Sequence, residues 1–180
     1  MGNTSTRQER IARLIRNVPD FPQPGIQFKD ITPLLGSPSG LSDALSEMLE
    51  TAPHDIDAVA GIESRGFIFA APMALMLHVG LVPIRKPGKL PGPVYEETFN
   101  LEYGTETLTI HQDALQPGQR VLLVDDLLAS GGTLVAASKL IHRTGAEVVH
   151  TTVLLELAGL SGRETMAKAG LTSLTSVVAC

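Results

Sequence analysis

One run of residues carries more chemistry than any other in the chain: Val121-Leu122-Leu123-Val124-Asp125-Asp126-Leu127-Leu128-Ala129-Ser130-Gly131-Gly132-Thr133. An apolar stretch of strand type ends in two acids, and a loop of small residues then leads into a helical pattern. The loop Ala129 to Thr133 can aim backbone N–H groups and two hydroxyls at an anion, beside the positive end of a helix. No lysine follows the glycines, so the loop is not of the Walker A type. Asp125 and Asp126 would repel a phosphate. Carboxylates do, however, accept hydrogen bonds from sugar hydroxyls and attract hydrated Mg²⁺. A ligand with a phosphate at one end and a diol nearby satisfies both halves, which points to a phosphorylated ribose. Successive strand residues face opposite ways, so both acids reach one sugar only if the strand has begun to turn at Asp125.

The surrounding pattern shows what must hold this element. Thr6 and Glu9 have capping-box spacing, and Ile11, Leu14, Ile15 and Val18 follow at helical intervals, which predicts a helix to about Asn17. Pro19 to Gly25 is stiff and irregular. Ser37-Pro38 opens a second helix, with Leu41, Ala44, Leu45, Met48, Leu49 and Ala52 as its stripe. Strands are expected over 57–62, 81–85, 120–124, 147–155 and 173–178. Helices are expected over 66–79, where Pro72 starts the helix late or kinks it, and over 132–144 and 161–169. Residues 98–103 and 105–111 read as hairpin arms turning near Gly104. This alternation predicts an α/β fold with a mainly parallel sheet flanked by helices. Such sheets bind ligands at the carboxyl ends of their strands, where the acids and the small-residue loop lie.

Composition sets the outer limits. The chain has 180 residues, 43% of them hydrophobic, with a net charge of −5. That suits a single folded domain over 1–180 and argues against a broad nucleic-acid-binding face. The single cysteine, Cys180, can form no internal disulfide or metal cage, which fits a reducing, cytoplasmic setting. Arg7, Glu9 and Arg10 precede any apolar run, so no signal peptide is expected. Phe67 to Ile84 is uncharged over 18 residues, the lower limit for a membrane span. Pro72, His78, Gly80 and Pro83 interrupt it, and it reads instead as a buried helix followed by a buried strand. The five histidines show no metal spacing.

The Val121–Thr133 element resembles the phosphoribosyl-pyrophosphate signature of type I phosphoribosyltransferases. Further stretches resemble the adenine-specific family within that group. They are Phe21-Pro22-Gln23-Pro24-Gly25-Ile26-Gln27-Phe28-Lys29-Asp30-Ile31-Thr32-Pro33-Leu34-Leu35, Gly61-Ile62-Glu63-Ser64-Arg65-Gly66-Phe67, Arg85-Lys86-Pro87-Gly88-Lys89-Leu90-Pro91-Gly92 and Leu101-Glu102-Tyr103-Gly104. The likeness runs in the family's order from about Ile11 to Ala167. Gln27 and Lys29 depart from the family pattern, which has an aliphatic residue and arginine beside the phenylalanine. Ser130 stands where threonine is common.

The resemblance implies the type I phosphoribosyltransferase fold, with a small N-terminal hood over about 1–35 and a mobile loop and hairpin over about 86–111. It implies that Ala129, Ser130, Gly131, Gly132 and Thr133 hold a 5-phosphate, with Asp125 and Asp126 on the ribose hydroxyls. Ser64, Arg65, Arg85, Lys86 and Lys89 would hold pyrophosphate. Mg²⁺ would be carried on the substrate, touching the two acids at most through water. Adenine would lie between Phe28 and Leu128, read by main-chain groups near Gln27 and Lys29. Glu102 would handle a proton on the purine, with Tyr103 on the closing loop and Arg65 at the reacting centre. The Ser64-Arg65 peptide is a candidate cis bond. A homodimer is implied, with no nucleic-acid or membrane partner. Two alternatives stay open: the same transfer to xanthine, hypoxanthine or guanine, and a non-catalytic sensor of phosphoribosyl pyrophosphate. A 6-oxo purine calls for a donor, commonly a strand-end lysine, and Val153 to Leu157 offers none. A sensor calls for a DNA-binding module, which the roughly sixty residues before the first core strand do not resemble.

Overall fold

The computed structural model describes residues 6–100 and 104–180, in two compact units, Met1–Glu50 and Thr51–Cys180. In the first unit, α1 (Arg7–Arg13) opens on the expected capping box, with the Thr6 hydroxyl accepting from the Glu9 amide and the Glu9 carboxylate accepting from that of Thr6. The helix stops at Leu14 rather than near Asn17. The next residues form strand β1 (Arg16–Pro19), antiparallel to β2 (Gln27–Asp30), with Val18 opposite Phe28. Pairing with β2 outweighs the local helical spacing, and the Arg16 guanidinium donates to Asp30 across the ladder. After a short α2 (Thr32–Leu35), α3 (Pro38–Glu50) begins where Ser37-Pro38 predicts, the Ser37 hydroxyl accepting from the Gly40 amide. Arg10 ties α1 to Asp43 of α3 at 2.8 Å.

The second unit is built on a five-stranded parallel sheet in the order β4-β3-β7-β8-β9. These strands are β3 (Ala58–Ile62), β4 (Gly80–Ile84), β7 (Arg120–Leu128), β8 (Glu147–Glu156) and β9 (Leu174–Ala179). The central β3 and β7 carry near-continuous apolar runs, as strands covered on both faces should. Helix α4 (Gly66–Leu77) packs on β3, β4 and β7, and α5 (Gly132–Arg143) on β7 and β8. Leu134, Ala137, Leu140 and Ile141 of α5 are buried as their spacing predicts. Helix α6 (Gly162–Lys168) precedes β9. A hairpin of β5 (Val94–Asn100) and β6 (Thr105–His111) packs against α5, with Leu108 and Ile110 in the core.

Three expectations need correction. Strand β7 does not turn at Asp125 but runs on to Leu128, because β8 extends to Glu156 and pairs with it there, and both acids border the same cleft without that turn. Of the two readings of Pro72, the late start is the one overturned, since α4 starts at Gly66 and carries the proline internally. The helix thereby forgoes one bond, from the N–H that proline lacks to the Ile68 carbonyl. Nor is α4 wholly buried: Ile68, Leu75 and Met76 face solvent, Leu75 at 75% exposure. No helix among the described residues is long and apolar enough to cross a membrane.

Candidate active site

The sheet order fixes where a ligand belongs. The chain leaves β3 through α4 to lay β4 on one side, then returns to lay β7 on the other. The strand order therefore reverses between β3 and β7, and a crevice opens beyond their carboxyl ends. A cleft of about 520 Å³ lies there, lined by the exit of β3 (Ile62 to Arg65), the exit of β7 (Asp125 to Leu128) and the loop that follows.

The loop has the geometry of an anion cradle. Gly131 is in left-handed conformation (φ 88°), which only glycine adopts at no steric cost. No side chain caps α5, so its first-turn N–H groups are left for a ligand beside the positive end of the helix. Ala129, Ser130, Gly131 and Thr133 line the cleft, while Gly132 sits behind them against Phe99.

The acids are nearly enclosed, Asp125 at 8% and Asp126 at 5% exposure, although both border the cleft. The first turn of α4 approaches Asp125 so closely that a methyl group on Gly66 would lie 2.8 Å from its Oδ1. Asp125 Oδ1 accepts the Asp126 amide at 2.9 Å. Burial, and then the neighbouring charge of Asp126, pushes the Asp125 carboxyl well above the usual carboxylate range. Asp126 is also pushed up by burial, against the opposing pull of Arg65. Arg65 Nε lies 3.0 Å from Asp126 Oδ2, yet that oxygen takes no aligned hydrogen bond. The contact is an ion pair made at a buried oxygen.

Ser64, Arg65, Lys86 and Leu128 line the cleft. Arg85 and Lys89 do not line it. Arg85 donates to Glu63 at 2.8 Å and to the Lys89 carbonyl at 3.2 Å, bracing the start of the loop after β4, and the Lys89 side chain is exposed. The cis peptide lies at Glu63-Ser64, one bond before the one expected. Glu63 is the last residue bonded to the sheet, through the Ile84 carbonyl, and Arg65 already has helical dihedrals as the cap of α4. Gln27, Phe28 and Lys29 form β2 of the first unit. Glu102 and Tyr103 lie outside the described residues.

Of the cleft residues given no role from sequence, two are charged, Glu63 and Glu106. Glu106 of β6 holds Lys86 at 2.9 Å, a partner twenty residues away that no local pattern signals. Among the described residues no cluster of three His, Cys, Asp or Glu could hold a metal ion. Two buried acids beside an anion cradle fit a Mg²⁺ ion that keeps its waters and is bound mainly by substrate oxygens.

Comparison with known proteins agrees with this geometry. Residues 30–173 match the family described as phosphoribosyl transferase domain. The chain is 56% identical over 172 residues to the adenine phosphoribosyltransferase of Cutibacterium acnes, covering 96% of this chain and 97% of that one. The crystal structure of adenine phosphoribosyltransferase from Thermoanaerobacter pseudethanolicus superposes with a TM-score of 0.91 at 43% identity, covering 96% and 99% of the two chains. The Giardia lamblia enzyme complexed with 9-deazaadenine gives 0.91 at 39% identity, covering 98% and 99%. With its switch-point cleft, its Asp125-Asp126 pair and its uncapped loop before α5, the chain belongs to the adenine phosphoribosyltransferase family.

Proposed function

We propose that the chain transfers the phosphoribosyl group of phosphoribosyl pyrophosphate to adenine, giving AMP and pyrophosphate, a reaction of purine salvage. The observation that carries this reading is the single cleft where an uncapped helix start, two buried acids and the cations Arg65 and Lys86 meet. A sugar with a phosphate at one end and a diphosphate at the other is complementary to that sequence of groups. The 56% identity to a relative of that name supports the choice of base. So does the end of β8, which carries no lysine and whose Glu156 is already engaged by Arg163.

In the reaction, adenine N9 forms a bond to ribose C1 as the C1–O bond to pyrophosphate breaks, and the electron pair leaves with the pyrophosphate. The centre passes through an oxocarbenium-like state. Arg65 and Lys86 face charge that grows on the leaving group, so they stabilise the transition state more than the ground state. Mg²⁺ bound with the substrate supplies further charge neutralisation at the pyrophosphate. Ala129 to Thr133 hold the 5-phosphate, and Asp125 and Asp126 accept hydrogen bonds from the ribose hydroxyls. Leu128, which lines the cleft, is an apolar plate for the base. Glu102 takes up the purine proton, and Tyr103 accompanies it in excluding water from C1.

The protein acts as a homodimer in the cytoplasm on this reading. The exposed Ile68, Leu75 and Met76 recur at helical spacing along α4, an apolar face suited to a second copy. The reaction is tested by incubating the protein with phosphoribosyl pyrophosphate, Mg²⁺ and adenine and quantifying products. AMP and pyrophosphate in equal amounts are expected. Ribose 5-phosphate and pyrophosphate without AMP would mean hydrolysis, and no turnover would point to a binding protein.

A further inference from the structure

The back of the phosphate loop is built as closely as its front. Gly162, the first residue of α6, lies directly beneath it. A methyl group on Gly162 would stand 2.2 Å from the Ala129 carbonyl oxygen and 2.7 Å from a Leu128 methyl carbon. From the other side, a methyl group on Gly131 would stand 2.8 Å from the Gly162 carbonyl oxygen and 3.2 Å from Thr165 Cβ. Leu128, Ala129 and Gly131 therefore rest on the first turn of α6. That helix has seven residues and no side-chain cap, too short to be rigid by its own hydrogen bonds.

A fork of bonds holds it. Arg163 Nε donates to both oxygens of Glu156, at 2.7 and 2.9 Å. Its remaining nitrogens reach the Ser176 hydroxyl at 3.0 Å and the Leu174 carbonyl at 3.3 Å, both on β9. Ser176 in turn donates to Glu156 at 2.7 Å. Glu156 is buried and pairs in register with Leu128, whose carbonyl accepts the Leu157 amide at 2.9 Å. The fork thus joins α6, β8 and β9 behind the residues that face the ligand. The bonds from Arg163 hold the Glu156 carboxyl below its usual range despite burial.

We propose that Arg163, acting through Glu156, Ser176 and Gly162, is a positioning residue that sets the height of the phosphate loop and of Leu128. This rests on the reading under Proposed function. Arg65 and Lys86, assigned to pyrophosphate, stand on other elements: the cap of α4 and the loop after β4. The clamp therefore governs one end of the substrate and not the other, which gives it a signature that general destabilisation lacks.

Arg163→Met removes the fork, and Gly162→Ala lifts the loop while leaving the fork intact. Dissociation constants for AMP and for inorganic pyrophosphate with Mg²⁺ are measured by calorimetry, alongside the melting temperature. Displacing the loop by a fraction of an ångström is expected to weaken AMP binding by about tenfold to 100-fold, with pyrophosphate binding unchanged. Arg163→Lys, which keeps the charge but not the fork, should recover only part of the affinity. Equal weakening of both ligands, or AMP binding unchanged in folded variants, overturns the proposal. If Arg163→Met does not fold, Arg163→Lys decides it, with Gly162→Ala as the check on loop height. A wild-type protein that binds neither AMP nor phosphoribosyl pyrophosphate would instead remove the functional reading itself.

Discussion

Asp125 is 8% exposed, lies next to Asp126, and has the first turn of α4 pressed against its carboxylate. The positive end of that helix favours an anion there, yet burial wins and raises its proton affinity. With the folded-state pKa above the unfolded value of 3.8, the folded protein binds the proton more tightly. Its contribution to stability is therefore full at low pH and falls as pH rises from about the unfolded value through the folded one. Asp125→Asn relieves this cost at neutral pH while keeping an acceptor for the Asp126 amide. For a chain this size each kcal/mol moves the melting temperature by about 2–4 °C, and a rise of that order is expected at pH 7. On the proposed ribose role, the same variant would lose a charge-assisted bond worth about 1.5–3 kcal/mol, so KM for phosphoribosyl pyrophosphate should rise. A lower melting temperature with unchanged KM would contradict both halves. The paired acids and the small-residue loop were legible because they are contiguous in sequence. The internal partners of the cations were not: Glu63 and Glu106 lie 22 and 20 residues from the side chains they hold. Only the fold brings them near.

Among elements, the β5-β6 hairpin shows what periodicity misses. Its first arm was legible only from Thr98, but β5 begins at Val94, because Tyr95 to Glu97 find partners on α5. Lys139 holds Glu97 at 2.8 Å, Arg143 donates to the Glu96 carbonyl at 2.7 Å, and its guanidinium stacks over Tyr95. The base of the hairpin is therefore anchored to the same helix whose uncapped start borders the cleft. Glu102 comes two residues after the end of β5 in sequence. Glu102→Gln keeps size and hydrogen bonding but cannot exchange a proton. Its single-turnover rate should fall by about 10²–10⁴-fold, with adenine binding little changed. A rate within about twofold of wild type, far short of that range, would leave Glu102 outside the chemistry. The early end of α1 has a similar cause. Ile15 and Val18 continue its helical spacing, but pairing of β1 with β2 claims that stretch.

For the whole molecule, parallel α/β architecture followed directly from the strand–helix alternation, and the position of the site followed from where strand order reverses. Exposure of the apolar α4 could not be read from the sequence. A helix that is hydrophobic all round is expected to be buried, and its uncovered face becomes visible only when its neighbours are known. If that face is closed by a second copy, Leu75→Glu should convert a dimer to a monomer in light scattering. Leu75 is 75% exposed in the single chain, so the substitution should cost little in the melting temperature of the monomer. A wild-type monomer in solution would remove the dimer from the account. The claim on which the rest depends is that this cleft transfers phosphoribosyl groups to adenine. The most direct test compares kcat/KM for adenine, hypoxanthine, guanine and xanthine at saturating phosphoribosyl pyrophosphate and Mg²⁺. A site built to bond a substrate group rejects analogues lacking it by about 10⁴–10⁵-fold, and adenine is expected to lead by orders of magnitude. Comparable values for any 6-oxo purine, or no transfer to adenine, would contradict it.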